Sequence, residues 1–228
     1  EITATGGPTV YPYGIYESSR PTWQRQRIDL SPWKGLGNVK LRFRLVSNNA
    51  ATPGEGWFID DLDVSENPNR NTPLVLPFTD DFESEAAGWL LSSWNIISDA
   101  AAVDGAAVLR DGSANSRMGP DTQQWAVLDR PVVLPLGSNV QLSYWLRGSL
   151  GSGGYQRLYY STDGGSTWPE ITAVRHNAGF NSNGAWERNQ ASLYDVSKTA
   201  AQTVRLRFAV TCNYEAPATD ISIDKLTL

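Results

Sequence analysis

The run Val204-Arg205-Leu206-Arg207-Phe208-Ala209-Val210 puts Val204, Leu206, Phe208 and Val210 on one side of an extended chain and Arg205 and Arg207 on the other. A two-residue period is that of a strand with one face in a core and one in water. The same alternation recurs in Val39, Leu41, Phe43 and Leu45 against Lys40, Arg42 and Arg44, and in Val140, Leu142, Tyr144 and Leu146. Shorter strands are predicted over 125–128, 132–134 and 157–161, with Gly, Pro, Asn and Ser filling the gaps. No window holds apolar residues at helical spacing beyond a few turns, so the one helix expected is a short turn at 193–198. The chain reads as an all-β sandwich.

With 228 residues, 40% hydrophobic and 19% charged, the chain is long enough and apolar enough to bury a core, and its nine Trp and nine Tyr favour strands. The formal net charge of −5 comes without a basic stripe, which excludes nucleic acid and anionic membrane surfaces as partners. No segment approaches the roughly 20 apolar residues of a membrane-inserted helix. Residues 1–11 lack the basic start and apolar run of a signal peptide, which leaves open a processed product or a piece of something longer. Cys212 is the single cysteine, so no intrachain disulfide forms, and its phase with Val210 predicts a buried, inert thiol. His176 is the single histidine, in a polar stretch read as a surface loop, and histidine-based zinc or Cys–His chemistry has nothing to assemble from. Carboxylates are numerous, yet no pair stands at a spacing that marks glycoside hydrolysis, so a non-catalytic role is expected.

An internal repeat organises the chain. Trp23 through "RIDLSPWKGLGNVKLRFRLVSN" to "GWFIDDLDV" ending at Val64 aligns with Trp186 through "ASLYDVSKTAAQTVRLRFAVTCN" to "DISIDKLTL" ending at Leu228. Trp23 matches Trp186, Leu30 matches Leu193, Phe43 matches Phe208, Asn48 matches Asn213 and Asp60 matches Asp224. The polar run Ser65–Pro73 separates the copies and reads as linker. The division is then 1–66 as the back half of one module, 67–77 as linker and 78–228 as a complete module. A half sandwich leaves strand edges and an apolar face uncovered. Upstream sequence, the second module or a neighbouring chain are the three ways to complete 1–66, the last implying self-association.

The second module opens on "FTDDFESEAAGW" (Phe78–Trp89), continues through "WAVLDRPVVL", "VQLSYWLRG" and "LYYSTDGGSTW", and closes on "SIDKLTL". In these motifs it resembles the MAM-like jelly-roll modules of secreted bacterial proteins, including the C-terminal region of immune inhibitor A type metallopeptidases. The resemblance covers 78–228 and the back half of the first copy. It implies a jelly-roll sandwich, an extracellular or cell-surface setting, and a calcium ion shared by a Glu near the module's start and an Asp in its last strand. Carried over, the ligands are Glu83 and Asp224, with Asp81 and Asp104 as helpers. Asp60 and Asp61 are the equivalents in the first copy, which lacks the opening Glu. Hard oxygen ligands at both ends of a module would tie the ends together in a protein without disulfides. Lys225, where the first copy has Asp61, departs from the pattern. The alternative reading of these carboxylates is that they cap strand ends and face water.

Ser161–Trp168, "STDGGSTW", fits the Asp-box hairpin, in which Asp163 binds turn N–H groups and Trp168 packs beneath. We read it as structure, not as a sign of glycosidase activity. Sugar stacking would need aromatics on the outer side of strands, and Trp145 and Tyr159 alternate out of phase with their apolar neighbours. Trp23 and Trp186 are expected in the core. Three functions follow: an accessory module engaging glycan or extracellular protein, an assembly protein completed by a neighbouring chain's strands, or an accessory domain of a secreted metallopeptidase.

Overall fold

A computed structural model of the chain describes residues 2–3, 30, 33–37, 39–43, 58–66, 70–84, 88–92, 94–111, 122–212 and 220–228. In the N-terminal part, β1 (Ile2–Thr3) pairs antiparallel with β2 (Lys40–Leu41). The strands that follow are β3 (Thr79–Asp80), β4 (Trp89–Ser92), β5 (Trp94–Ser98), β6 (Ala107–Asp111), β7 (Thr122–Leu134), β8 (Gln141–Ser149) and β9 (Gly154–Ser161). After them come β10 (Glu187–Ser192), the single-turn helix α1 (Tyr194–Ser197), β11 (Gln202–Cys212) and β12 (Asp220–Thr227).

The alternation that predicted strands has the expected result in β11. Val204, Leu206, Phe208 and Val210 are buried, while Arg205 and Arg207 point outward. Two antiparallel sheets pack face to face. One has the order β10-β8-β12-β6-β5 with β3 also paired to β12, the other β4-β7-β11-β9. Bridges Gln156–His176 and Tyr159–Glu170 lay residues 170–176 along the free edge of β9. From β7 to β12 the chain changes sheet at every connection, which is the jelly roll. Between the sheets, Phe208 meets Tyr144 edge-on at 4.9 Å and stacks on Trp89 at 6.0 Å, and Trp89 meets Phe82 at 5.8 Å. Replacing so central a ring by alanine costs about 3–5 kcal/mol.

The two ends of residues 78–228 meet. Leu226 and Thr227 lie opposite Asp80 and Thr79, and Phe78 and Leu228 exchange main-chain hydrogen bonds of 3.0 and 2.9 Å. Main-chain pairing thus joins β3 and the residue before it to β12 and the residue after it.

Three expectations change. Residues 125–128 and 132–134 are one strand, β7, which runs through Pro131 by a bulge: Val204 faces Val132 and Leu206 faces Leu128, so three residues of β7 oppose Arg205 alone. Trp186 is outside the core; Arg147 lies over its ring at 4.6 Å and its indole N–H donates to the Ala101 carbonyl. In the first copy Val39, Leu41 and Phe43 are exposed like their charged neighbours, Phe43 to 46%, although Trp33 is buried. Alternation alone cannot bury a face; an opposing sheet must cover it. Trp23, Leu45, Asn48, Asn213 and the Cys212 side chain lie outside what is described.

Candidate functional site

Two carboxylates from the ends of the module grip one loop. Residues 99–106 connect β5 to β6, and Asp224 of β12 is wholly buried beneath them. Asp224 Oδ2 accepts hydrogen bonds from the N–H groups of Val103 at 2.6 Å and Asp104 at 3.1 Å, and Oδ1 accepts from Lys225 N–H at 2.7 Å. Burial pushes the Asp224 carboxyl above the ordinary aspartate range, against the pull of these three donors. From the other side, Glu83 Oε1 accepts from Ala106 and Ala107 N–H, both at 2.6 Å. Gly105, at φ +65°, lies so close that a Cβ there would stand 2.3 Å from Glu83 Oε1. Asp99 closes the loop onto β8 through an ion pair with Arg147.

The expected metal ligands therefore divide. Glu83, Asp224 and Asp104 come to one loop. Asp104 ion-pairs with the Lys225 ammonium at 3.0 Å, and Asp81 accepts from Glu83 N–H at 3.2 Å, within its own turn. Among the described residues no three His, Cys, Asp or Glu side chains come together as a metal-holding group. Asp60 and Asp61 are exposed, and Asp60 Oδ1 accepts from Asp61 N–H at 2.9 Å.

That last contact repeats the one at Asp224. Asp61 and Lys225, matched in the alignment, both hold positive φ, 50° and 47°, and each donates its N–H to the preceding aspartate. At a second aligned pair of positions, Trp33 N–H bonds the Leu30 carbonyl at 3.0 Å, and Val196 N–H bonds the Leu193 carbonyl at 3.1 Å.

Trp145 and Tyr159, the expected sugar contacts, lie on opposite outer faces. Trp145 is part-exposed on β8, paired across to Arg188 of β10 and Asp224 of β12. Beside it the same face carries a depression of about 270 Å³ lined by Arg110, Arg147, Asn181, Asp220 and Ser222. Arg110 binds Asp220 Oδ1 through Nε at 2.7 Å and Nη2 at 2.5 Å. Arg147, at the rim, carries the Trp186 ring alongside. Trp186 is the member of this site that sequence reasoning missed; its place between a polar loop and a charged strand was the available signal. Tyr159 is on β9 in the other sheet, opposite Arg207, whose guanidinium covers its ring at 4.8 Å.

The Asp box forms as expected. Asp163 Oδ1 accepts from Ser166 N–H at 3.0 Å and Thr167 N–H at 2.9 Å, Oδ2 accepts from the Thr167 hydroxyl at 2.6 Å, and Trp168 donates to the Gly165 carbonyl at 2.9 Å. These bonds hold the Asp163 carboxyl well below its usual range, the Thr167 side chain contributing most. His176 is half-buried, not a free loop residue: Nε2 lies 3.0 Å from Asn189 Oδ1 and its ring 4.3 Å from Phe180.

No protein-family model matches the chain. A stretch of 53 residues is 38% identical to bacillopeptidase F of Bacillus subtilis (strain 168), covering 23% of this chain and 4% of that protein. The chain thus spans only a small fraction of that relative's length. Among solved structures, the K2 cleaved adhesin domain of Lys-gingipain is similar at a TM-score of 0.44 and 15% identity, over 67% of this chain and 97% of that one. A CBM28 carbohydrate-binding module specific for non-crystalline cellulose gives 0.41 and 16%, over 72% and 98%. TmCBM61, solved with β-1,4-galactotriose, gives 0.40 and 16%, over 64% and 92%.

Proposed function

We propose that the chain is an extracellular, non-catalytic β-sandwich module that binds polysaccharide on the outer face of the sheet containing β8 and β12. The observation that carries this reading is an outer face on which part-exposed Trp145 stands two residues along β8 from Arg147, which both lines a polar depression and lies over the Trp186 ring. Indole rings offer flat apolar platforms to sugar C–H faces. The Arg110–Asp220 pair, with Asn181 and Ser222, offers donors and acceptors to hydroxyls. The test is retardation in gels containing neutral polysaccharides, compared between the wild type and Trp145→Ala at unchanged melting temperature.

Calcium belongs to this reading as a stabiliser. Glu83 and Asp224, which bind the 99–106 loop, and Asp104 within it are hard oxygen donors, and an ion there would add a strong tie between residues near the two ends of 78–228. The Lys225 ammonium on Asp104 competes with any cation. EDTA lowers the melting temperature if an ion is held; an unchanged melt removes calcium and leaves the loop to its hydrogen bonds.

Self-assembly is the second reading, favoured by residues 58–64. This segment aligns with β12, belongs to no sheet, and exposes Phe58 to 65%, Leu62 to 63% and Val64 to 64%. Such a surface asks for cover. Light scattering decides it: a mass above the monomer that rises with concentration supports assembly, and a constant monomer contradicts it. The short match to bacillopeptidase F supports placing the module beside a peptidase in a longer chain.

A further inference from the structure

In the depression on the β8–β12 face, one ion pair leaves part of its hydrogen-bonding capacity unused. Arg110 donates from Nε at 2.7 Å and from Nη2 at 2.5 Å, and both bonds fall on a single oxygen, Asp220 Oδ1. The second carboxylate oxygen, Oδ2, and the guanidinium Nη1 have no hydrogen-bond partner among the described residues. Both side chains reach solvent, 28% exposed for Arg110 and 41% for Asp220, and both line the depression. The neighbouring charges are engaged elsewhere. Arg147, the other cation of the depression, pairs with Asp99, and Asp224 accepts main-chain N–H groups at both of its oxygens.

A carboxylate oxygen only accepts hydrogen bonds, and a guanidinium only donates them. An anionic ligand would satisfy Nη1 and be repelled by Oδ2, and a cationic one the reverse. Arg110 and Arg147 are each matched by a carboxylate, so the charges cancel and the site draws neither sign. The ligand that meets both atoms is neutral and carries hydroxyls, which donate and accept. One hydroxyl is not enough. Because Oδ1 sits against the Nε–Nη2 edge, Nη1 lies across the planar guanidinium from the carboxylate, and Oδ2 and Nη1 do not converge on one point. Two hydroxyls on neighbouring ring carbons serve the two atoms separately: one donates to Oδ2, the other accepts from Nη1. We infer that the Arg110–Asp220 pair selects sugar rings with free hydroxyls on adjacent carbons, and therefore 1,4-linked over 1,3-linked polysaccharide; the inference rests on the sugar-binding reading of this face. In a 1,4-linked pyranose chain each ring keeps its 2- and 3-hydroxyls side by side. A 1,3 linkage uses the middle position, so the next sugar stands between the two remaining hydroxyls where the ion pair would approach.

The experiment is affinity electrophoresis of the full chain in gels of 1,4-linked glucomannan, xyloglucan and galactan, beside a linear 1,3-linked glucan. The wild type is retarded by at least one 1,4-linked polymer, about tenfold more strongly than by the 1,3-linked glucan, the scale of one hydrogen bond to a charged group. Asp220→Ala removes the acceptor and loses that preference. Its melting temperature stays unchanged, because a part-exposed ion pair contributes little to stability. If Asp220→Ala does not fold, Arg110→Met carries the test and must lose the same preference. Retardation by the 1,3-linked glucan as strong as by every 1,4-linked polymer, or an undiminished preference in the variant that folds, would overturn the selection. In that case weaker retardation of Trp145→Ala in all gels would leave the sugar-binding face standing. Free migration of the wild type in every gel would overturn both the selection and the sugar-binding reading.

Discussion

Glu83 and Asp224 hold the two ends of one loop: Asp224 takes the N–H groups of Val103 and Asp104, Glu83 those of Ala106 and Ala107. The side chains come from the start and the last strand of the module, so the loop records whether those ends are together. Asp224→Ala strands three N–H groups at a buried site and should cost about 2–4 kcal/mol, while Glu83→Ala, at the exposed end, should cost about 1–2 kcal/mol. Because they share a loop, the double variant should lose less than the sum in urea unfolding. Strict additivity would mean that the loop is not held as one unit.

Gly148 gives a sharper steric test. It holds φ +140°, and a Cβ there would stand 1.6 Å from the Asp220 carbonyl oxygen, in the pairing of β8 with β12. Gly148→Ala should part these strands and unfold the module or cost at least about 3 kcal/mol. Gly179→Ala, at φ +82° with nothing within 4 Å, bears backbone strain only, about 1 kcal/mol. Similar melting temperatures for the two variants would contradict the packing described.

The pH response has opposing parts. Burial lowers the pKa of His176 from 6.5, so the unfolded chain takes up the proton more readily and stability falls as pH drops below about 6.5. Asp163, depressed by its turn bonds, contributes stability above 3.8 that is lost as pH falls through its lower folded value. Asp80 and Asp224, both raised by burial, work in the other direction: their contribution is full below 3.8 and is lost as pH rises through their folded values. Between pH 7 and 5.5 the His176 contribution makes stability fall as the pH falls. His176→Gln should flatten the melting profile there, and an unchanged slope would place the titration elsewhere.

The Asp box should act on the hairpin alone. Asp163→Ala removes the acceptor of the Ser166 and Thr167 N–H groups, and their amide exchange should accelerate. Retention on polysaccharide through the Trp145 face should not change. Loss of retention together with intact global stability would give the hairpin a binding role.

Much of this was legible in the sequence because alternation is local: Val204 to Val210 and Leu142 to Leu146 declare their buried sides without reference to any partner. The Asp box was legible for the same reason. What lies opposite a strand is set by pairing between distant segments, so the register that puts Trp145 beside Asp224, and the sheet assignment that separates Trp145 from Tyr159, could not be read from spacing. Pro131 hid the continuity of β7, since a proline argues against a central strand unless a bulge takes it. Trp186 looked like core because it precedes a strand in a repeat, yet it ends against Arg147 on the outside.

The central claim is that the β8–β12 face binds sugar, and affinity electrophoresis over a panel of neutral polysaccharides, with Trp145→Ala and Arg110→Ala beside the wild type, tests it most directly. The account predicts retardation of the wild type by at least one polysaccharide, with each variant weakened about tenfold, the scale of one aromatic platform or one charged hydrogen-bonding group, and with Trp145→Ala unchanged in melting temperature. A wild type that migrates freely in every gel, or variants retarded as strongly as the wild type, would contradict it.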